Sequence, residues 1–212
     1  MNSIIQRFEN IKSLINNSNV KIIAVSKTFS YDYIKPLVDY GQIHFGENKV
    51  QEAQSKWQNI KKSNPNINLH MIGKLQSNKA KEAVNLFDYI HSLDNQKLAS
   101  LLAKHEIAAN KKLKYFIQVN IGKEKQKSGI GIELVDDFYY YCTKELNINI
   151  IGLMAIPPND ENNDIYFKNL MELNLSLGLK ELSMGMSKDF KEAIKYKATF
   201  VRIGSSIFGD RT

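Results

Sequence analysis

The chain has 212 residues, 43% of them hydrophobic, and a formal net charge of +7. The apolar fraction suffices for a sizeable core and excludes global disorder, and the length suits one domain, expected over residues 1–212. The basic charge singles out no partner: lysines are scattered along the whole chain, and the densest stretch, 111–114, has few aromatic neighbours to stack bases, so no nucleic acid is expected.

Residues 3–16 place Ile4, Ile5, Phe8, Ile11, Leu14 and Ile15 at the spacing of an amphipathic helix. Charged residues interrupt the apolar ones from the start, so this segment does not read as a signal peptide. A strand follows at 21–27 and ends in Lys27. Further apolar runs lie at 42–46, 69–73, 89–92, 115–120, 150–156, 181–184 and 200–204, which makes eight. Helical segments are predicted at 31–40, 48–62, 78–86, 95–108, 131–145, 162–178 and 188–196, and the stretch 157–164 reads as a polar loop. No apolar run approaches the roughly 20 residues that span a bilayer, so no membrane is expected. The single cysteine, Cys142, permits no intrachain disulfide, which fits a cytoplasmic protein. Alternating strands and helices imply parallel pairing with right-handed crossovers, and eight such units imply a (β/α)8 barrel with an extra N-terminal helix. No Gly-rich dinucleotide turn follows the first strand, which disfavours an open doubly wound sheet.

In such a barrel, function gathers at the C-terminal ends of the strands. A lysine there, flanked by apolar residues, can lose its proton and form an imine; the plain alternative for Lys27 is a solvated strand-end lysine. Two Gly/Ser turns follow the last two strands, one containing Gly185 and Ser187, the other Gly204, Ser205 and Ser206. Barrels frequently hold phosphate at these two loops. Ser187 could equally cap the helix after it. An imine-forming lysine with a phosphate cradle suggests a phosphorylated aldehyde, which points to pyridoxal phosphate. Only three of the 29 basic residues are arginine: Arg7, Arg202 and Arg211. Arg202 sits inside an apolar strand, where it either pairs with an interior carboxylate or donates to the nitrogen of a pyridine ring. Asn48 either binds ligand or caps the next helix. Glu47 is expected to pair with a lysine, His70 and His91 to serve core or supporting roles, and Met184 and Met186 to pack.

These residues resemble the pyridoxal phosphate homeostasis protein family. The motifs are AVSK at 24–27, FGENKVQE at 45–52, HMIGKLQSNK at 70–79, QVN at 118–120, KQKSG at 125–129, GLMAI at 152–156, LSMGMS at 182–187 and VRIGSSIFG at 201–209. The resemblance implies a barrel like the N-terminal domain of alanine racemase and pyridoxal phosphate bound as a Schiff base on Lys27. It places Arg202 at the pyridine nitrogen, phosphate around Ser187, Gly204 and Ser205, and Asn48 and Met184 along the pocket. It implies a carrier or regulator of intracellular pyridoxal phosphate, a monomer, with pyridoxal-phosphate-dependent acceptor enzymes as partners and no established catalysis. The departures are Leu69, where an aromatic residue often precedes the histidine, and an end soon after Arg211. The runner-up is an amino-acid racemase, which would need a second proton-transfer group from an additional domain absent from these 212 residues. A cofactor-free lyase using Lys27 is a third reading, with Glu47 as its acid–base candidate.

Overall fold

A computed structural model describes residues 2–16, 19–124, 126–158, 160 and 162–209. Arg211 lies outside them. Eight parallel strands close into a barrel in sequence order. They are β1 (Lys21–Val25), β2 (His44–Glu47), β3 (Asn68–Met71), β4 (Tyr89–Leu93), β5 (Lys114–Gln118), β6 (Ile150–Met154), β7 (Glu181–Met186) and β8 (Phe200–Ile203). Outside run α1 (Ser3–Ile15), α2 (Tyr31–Asp39), α3 (Val50–Ser63), α4 (Ala80–Leu86), α5 (Gln96–Ala109), α6 (Val135–Tyr140), α7 (Asn163–Ser176), α8 (Phe190–Lys195) and the short α9 (Ser205–Phe208). Among the described residues no helix is long and apolar enough to cross a membrane.

The extra helix α1 is fixed by its own sequence. Asn2 caps it by accepting from the Ile4 amide at 2.9 Å, and Asn16 ends it in the left-handed region at φ 39°. Its buried stripe is Ile4, Phe8, Ile11 and Ile15. Arg7 Nε donates to the Ile207 carbonyl at 2.7 Å, tying α1 to α9.

Parallel strands bury both faces, which is why they read as nearly continuous apolar runs. Outward side chains such as Ile22, Ala24, Phe45 and Leu69 meet the helices. Ile23, Tyr89, Phe116, Met154 and Phe200 fill the barrel itself. Trp57 of α3 is fully buried against Phe45, with ring centroids 4.9 Å apart, and donates Nε1 to Glu47 Oε1 at 2.9 Å.

The differences from the predicted elements lie at the ends and have local causes. Strand β1 stops at Val25, so Lys27 stands beyond it in a turn. Strand β7 continues to Met186 because Gly185 adopts φ +88° without a side-chain penalty. The predicted helix 131–145 divides into a 3-10 turn at Ile132–Leu134, α6 and a π turn at Tyr141–Glu145. The helical turn α9 was not predicted, since four residues carry no periodicity.

Candidate functional site

The turn after β1 is held from both sides of Lys27. Before it, Ser26 is buried; its hydroxyl donates to Glu47 Oε1 at 2.7 Å, and its carbonyl accepts from Lys56 Nζ at 2.7 Å. After it, the Thr28 amide donates to the Glu52 carboxylate, and Thr28 adopts φ 71°, uncommon for a β-branched residue. The backbone around Lys27 is therefore constrained at each neighbour, and its half-buried side chain enters the mouth of the barrel.

That mouth holds a cavity of about 910 Å³. Lys27, Asn48, Ser187, Arg202, Gly204 and Ser205 all line it, together with Val25, Phe29, Ile72, Lys127 and Met186. Six of the seven sequence-derived site residues thus share one cavity. Met184 is the exception: it is fully buried among the side chains between sheet and helices, because the strand alternation that turns Ser183 into the barrel turns Met184 out. Met186, expected only to pack, stands instead at the cavity wall where the resemblance places Met184.

Asn48 does not cap α3, which starts at Val50 after Lys49 and has no side-chain cap. Its position depends on Gly73, where a Cβ would lie 2.4 Å from the Asn48 carbonyl oxygen. Ser187 does not cap α8 either. That helix starts at Phe190, and Asp189 Oδ1 instead accepts from the Met186 amide at 2.6 Å. The Ser187 hydroxyl is left to meet Ser205, whose Oγ lies 3.4 Å away. The two Gly/Ser turns are thereby joined at one side of the cavity. Gly185 permits this closure: a Cβ there would lie 2.6 Å from Ala193 Cβ and 2.9 Å from Phe190 Cα.

Arg202 enters from β8, whose register pairs it with Ile23 of β1. It is 4% exposed. Nη1 donates to Ser183 Oγ at 2.7 Å and Nη2 to the Ala155 carbonyl at 2.9 Å. Among the described residues it forms no ion pair, so the interior-carboxylate alternative is not realised. Burial draws its pKa down to about 10, the charge of Asp189 opposing, and it stays cationic at neutral pH. A buried donor with neutral partners favours a further neutral acceptor over an empty apolar wall.

Glu47, the candidate acid–base group of the lyase reading, lies on the far side of the sheet. It is fully buried, and Oε1 accepts from Ser26, Lys56 and Trp57, so its expected lysine partner is Lys56, at 2.9 Å. It contributes nothing to the cavity wall. Lys127, within the KQKSG motif at 125–129, also lines the cavity. It stands on the segment after β5, donates to the Pro157 carbonyl at 2.9 Å and pairs with Glu124. Its place in a long loop at a strand C-terminal end was the available signal. Phe29, Val25 and Ile72 were missed because apolar side chains lining a mouth look like any others in sequence.

The family model for the alanine racemase N-terminal domain matches residues 1–212. The chain is 38% identical over 200 residues to the pyridoxal phosphate homeostasis protein of Aquifex aeolicus, covering 90% of this chain and 87% of that one. It is 35% identical to the Escherichia coli K12 protein of the same name, over 91% and 86%. The chain belongs to the pyridoxal phosphate homeostasis protein family. PipY of Synechococcus elongatus PCC7942, solved with pyridoxal phosphate bound, is similar at TM-score 0.89 and 34% identity over 97% of this chain and all of that one. Clostridium difficile alanine racemase, at TM-score 0.80 and 13% identity, shares the fold over 57% of its own length. The barrel architecture and the family both agree with the sequence reading.

Proposed function

We propose that the cavity binds pyridoxal phosphate, attached covalently at Lys27, and that this one barrel domain holds and releases the cofactor to pyridoxal-phosphate-dependent enzymes, buffering its free level. When bound, the cofactor supplies an aldehyde that condenses reversibly with a primary amine. Lys27 presents that amine from a turn held at Ser26 and Thr28. Arg202 donates toward the ring nitrogen, and because a guanidinium keeps its proton, that nitrogen stays unprotonated. Such a ring is a poor electron sink, which suits storage better than carbanion chemistry. The paired hydroxyls of Ser187 and Ser205, with Gly204 between the turn and β8, suit the phosphate, and Asn48 flanks the ring.

The observation that carries this reading is the buried guanidinium that forms no ion pair among the described residues and faces the same cavity as Lys27 and the Ser187–Ser205 pair. The chain's family and the cofactor-bound relative support it. The test is absorbance with added pyridoxal phosphate, before and after borohydride, for the native chain and Lys27→Ala. A visible band that borohydride fixes as a label on Lys27 is expected. An unchanged band in Lys27→Ala would reject the attachment site. Mixing the loaded protein with a cofactor-free aminotransferase then tests release: recovered activity beyond that from the equilibrium free cofactor is expected of a carrier.

A further inference from the structure

Three histidines cross the barrel interior in single file. His44 Nδ1 lies 2.9 Å from His70 Nε2, and His70 Nδ1 lies 2.9 Å from His91 Nε2. His91 Nδ1 is 2.8 Å from Ser183 Oγ, the atom that accepts from Arg202 Nη1. The file begins at the opposite mouth, where half-buried His44 lines a second cavity of about 590 Å³ with Lys12, Lys21 and Gln42. His70, His91 and Ser183 are fully buried. The rings are held by packing: His70 stacks on Tyr89 at 4.2 Å between centroids, and His91 on Phe116 at 4.3 Å.

The file has only one self-consistent direction. A neutral imidazole carries one donor and one acceptor, a hydroxyl has one proton, and a guanidinium only donates. Arg202 therefore occupies a lone pair of Ser183. Among the described residues, His91 is the only other hydrogen-bond partner of Ser183 Oγ, so the hydroxyl proton goes to His91 Nδ1. His91 then carries its proton on Nε2 and donates to His70 Nδ1. His70 likewise donates from Nε2 to His44 Nδ1, and the last N–H, on His44 Nε2, is left at the far mouth. The reverse direction would strand the Ser183 proton in an apolar interior.

The charges around the file favour the same state. His91 faces the Arg202 cation from β8. His70 faces its two histidine neighbours, Lys61 of α3 and Lys114 of β5. His44 faces Lys21 of β1 and Lys114, with Asp88, just before β4, the one group favouring a cation. Burial is the largest cause at all three, and each is held below the usual histidine range.

We propose that Ser183, His91, His70 and His44 are positioning residues, a tautomer-locked file that fixes the Arg202 guanidinium as a donor toward the upper cavity and keeps added protons at the far mouth. The role assigned to Arg202 rests on the cofactor reading above; the locked tautomers do not. Hydrogen bonds in such a chain polarise one another, so an acceptor docking on Arg202 is felt as far as His44.

The tautomers are read by two-bond 1H–15N NMR on the cofactor-free chain labelled in histidine, with His105, outside the file, as internal reference. Neutral Nε2–H forms are expected for His44, His70 and His91 at pH 7. An Nδ1–H or cationic form at any of the three would overturn the direction. Ser183→Ala is expected to release the His91 tautomer and to weaken pyridoxal phosphate binding about tenfold, the loss of one charge-assisted hydrogen bond, with a shifted visible band. Ser183→Thr, which keeps the hydroxyl, is expected to restore both. Unchanged binding and spectrum in a folded Ser183→Ala would overturn the positioning role. Failure of the native chain to label at Lys27 would instead reject the cofactor reading while leaving the NMR result standing.

Discussion

The amide of Thr28, one residue beyond Lys27, is tied to the carboxylate of Glu52 in the first turn of α3. This contact keeps a β-branched residue at φ 71° between Lys27 and Phe29, both of which line the cavity. Glu52→Ala is expected to destabilise the fold by about 1–2 kcal/mol, the size of a lost hydrogen bond to a charged group. It should also slow attachment at Lys27, because the turn loses its outer anchor. Urea unfolding reads the first and stopped-flow absorbance the second. A stability loss with an unchanged attachment rate would show that the tether supports the fold without aiming the lysine.

On the inner side of the same turn, Lys56 and Glu47 are both nearly inaccessible, with side-chain exposures of 6% and 0%. Removing one partner of a buried pair leaves an uncompensated charge, at a cost of about 3–5 kcal/mol. Two neutral donors, Ser26 and Trp57, remain on Glu47, so Lys56→Met is expected at the lower end of that range. The double variant Lys56→Met with Glu47→Gln should recover part of the loss. Urea unfolding of the single and double variants measures the coupling; additive losses would mean that the pair is not a unit.

Much of this was legible in the sequence. Eight apolar runs became eight strands because parallel strands buried on both faces are mostly apolar. Lys27, Arg202 and the two Gly/Ser turns were legible because a barrel gathers strand ends at one mouth. What stayed hidden depended on which way a side chain turns. Met184 and Met186 differ by two positions, so simple alternation would put them on one face. Gly185, at φ +88°, breaks that alternation, and only its conformation sends Met186 to the cavity. The histidine file was hidden for the same reason: His44, His70 and His91 sit on three strands, and register alone aligns them.

The file also sets a pH dependence of stability. His44 is held at about 4, and His70 and His91 well below 6.5, chiefly by burial. The unfolded chain therefore takes up protons first as pH falls, and stability rises with pH across this window. The contribution is fully present above about pH 6.5 and is lost as pH drops toward the folded values. For His44 alone the loss at pH 5 is about 2 kcal/mol. Urea midpoints at pH 7.5, 6.0 and 5.0 are expected to fall steadily, with about three protons bound on unfolding at the acid end. A flat profile would mean that the histidines titrate inside the fold.

Gly185→Ala is expected to destabilise by about 1–3 kcal/mol, since a left-handed backbone and two contacts under 3 Å must both be accommodated. The damage should concentrate at the phosphate end, because the clash pushes on Phe190 and Ala193 of α8, at the end of the turn that carries Ser187. Affinity for pyridoxal phosphate is expected to fall more than the melting temperature alone would suggest. Equal affinity in a destabilised variant would show that the two serines need not meet.

The pairing of Ser187 with Ser205 can be tested against ligand chemistry and not only against the fold. Ser187 stands in a turn and Ser205 is the exposed first residue of α9, so replacing them leaves the core intact; Ser187→Ala and Ser205→Ala should each change stability by less than about 0.5 kcal/mol. If they hold phosphate, they discriminate pyridoxal phosphate from pyridoxal, which has the same aldehyde and ring without the anion. The native chain is expected to prefer the phosphorylated form strongly. Each alanine variant should lose about tenfold of that preference by weakening pyridoxal phosphate binding while leaving pyridoxal almost unchanged. Competition by inorganic phosphate should fall in parallel, since it uses the same donors. A variant that weakens both ligands equally would place Ser187 and Ser205 beside the ring, and the phosphate would then have to lie against other donors of the cavity wall, such as Lys188, Lys127 or Asn163.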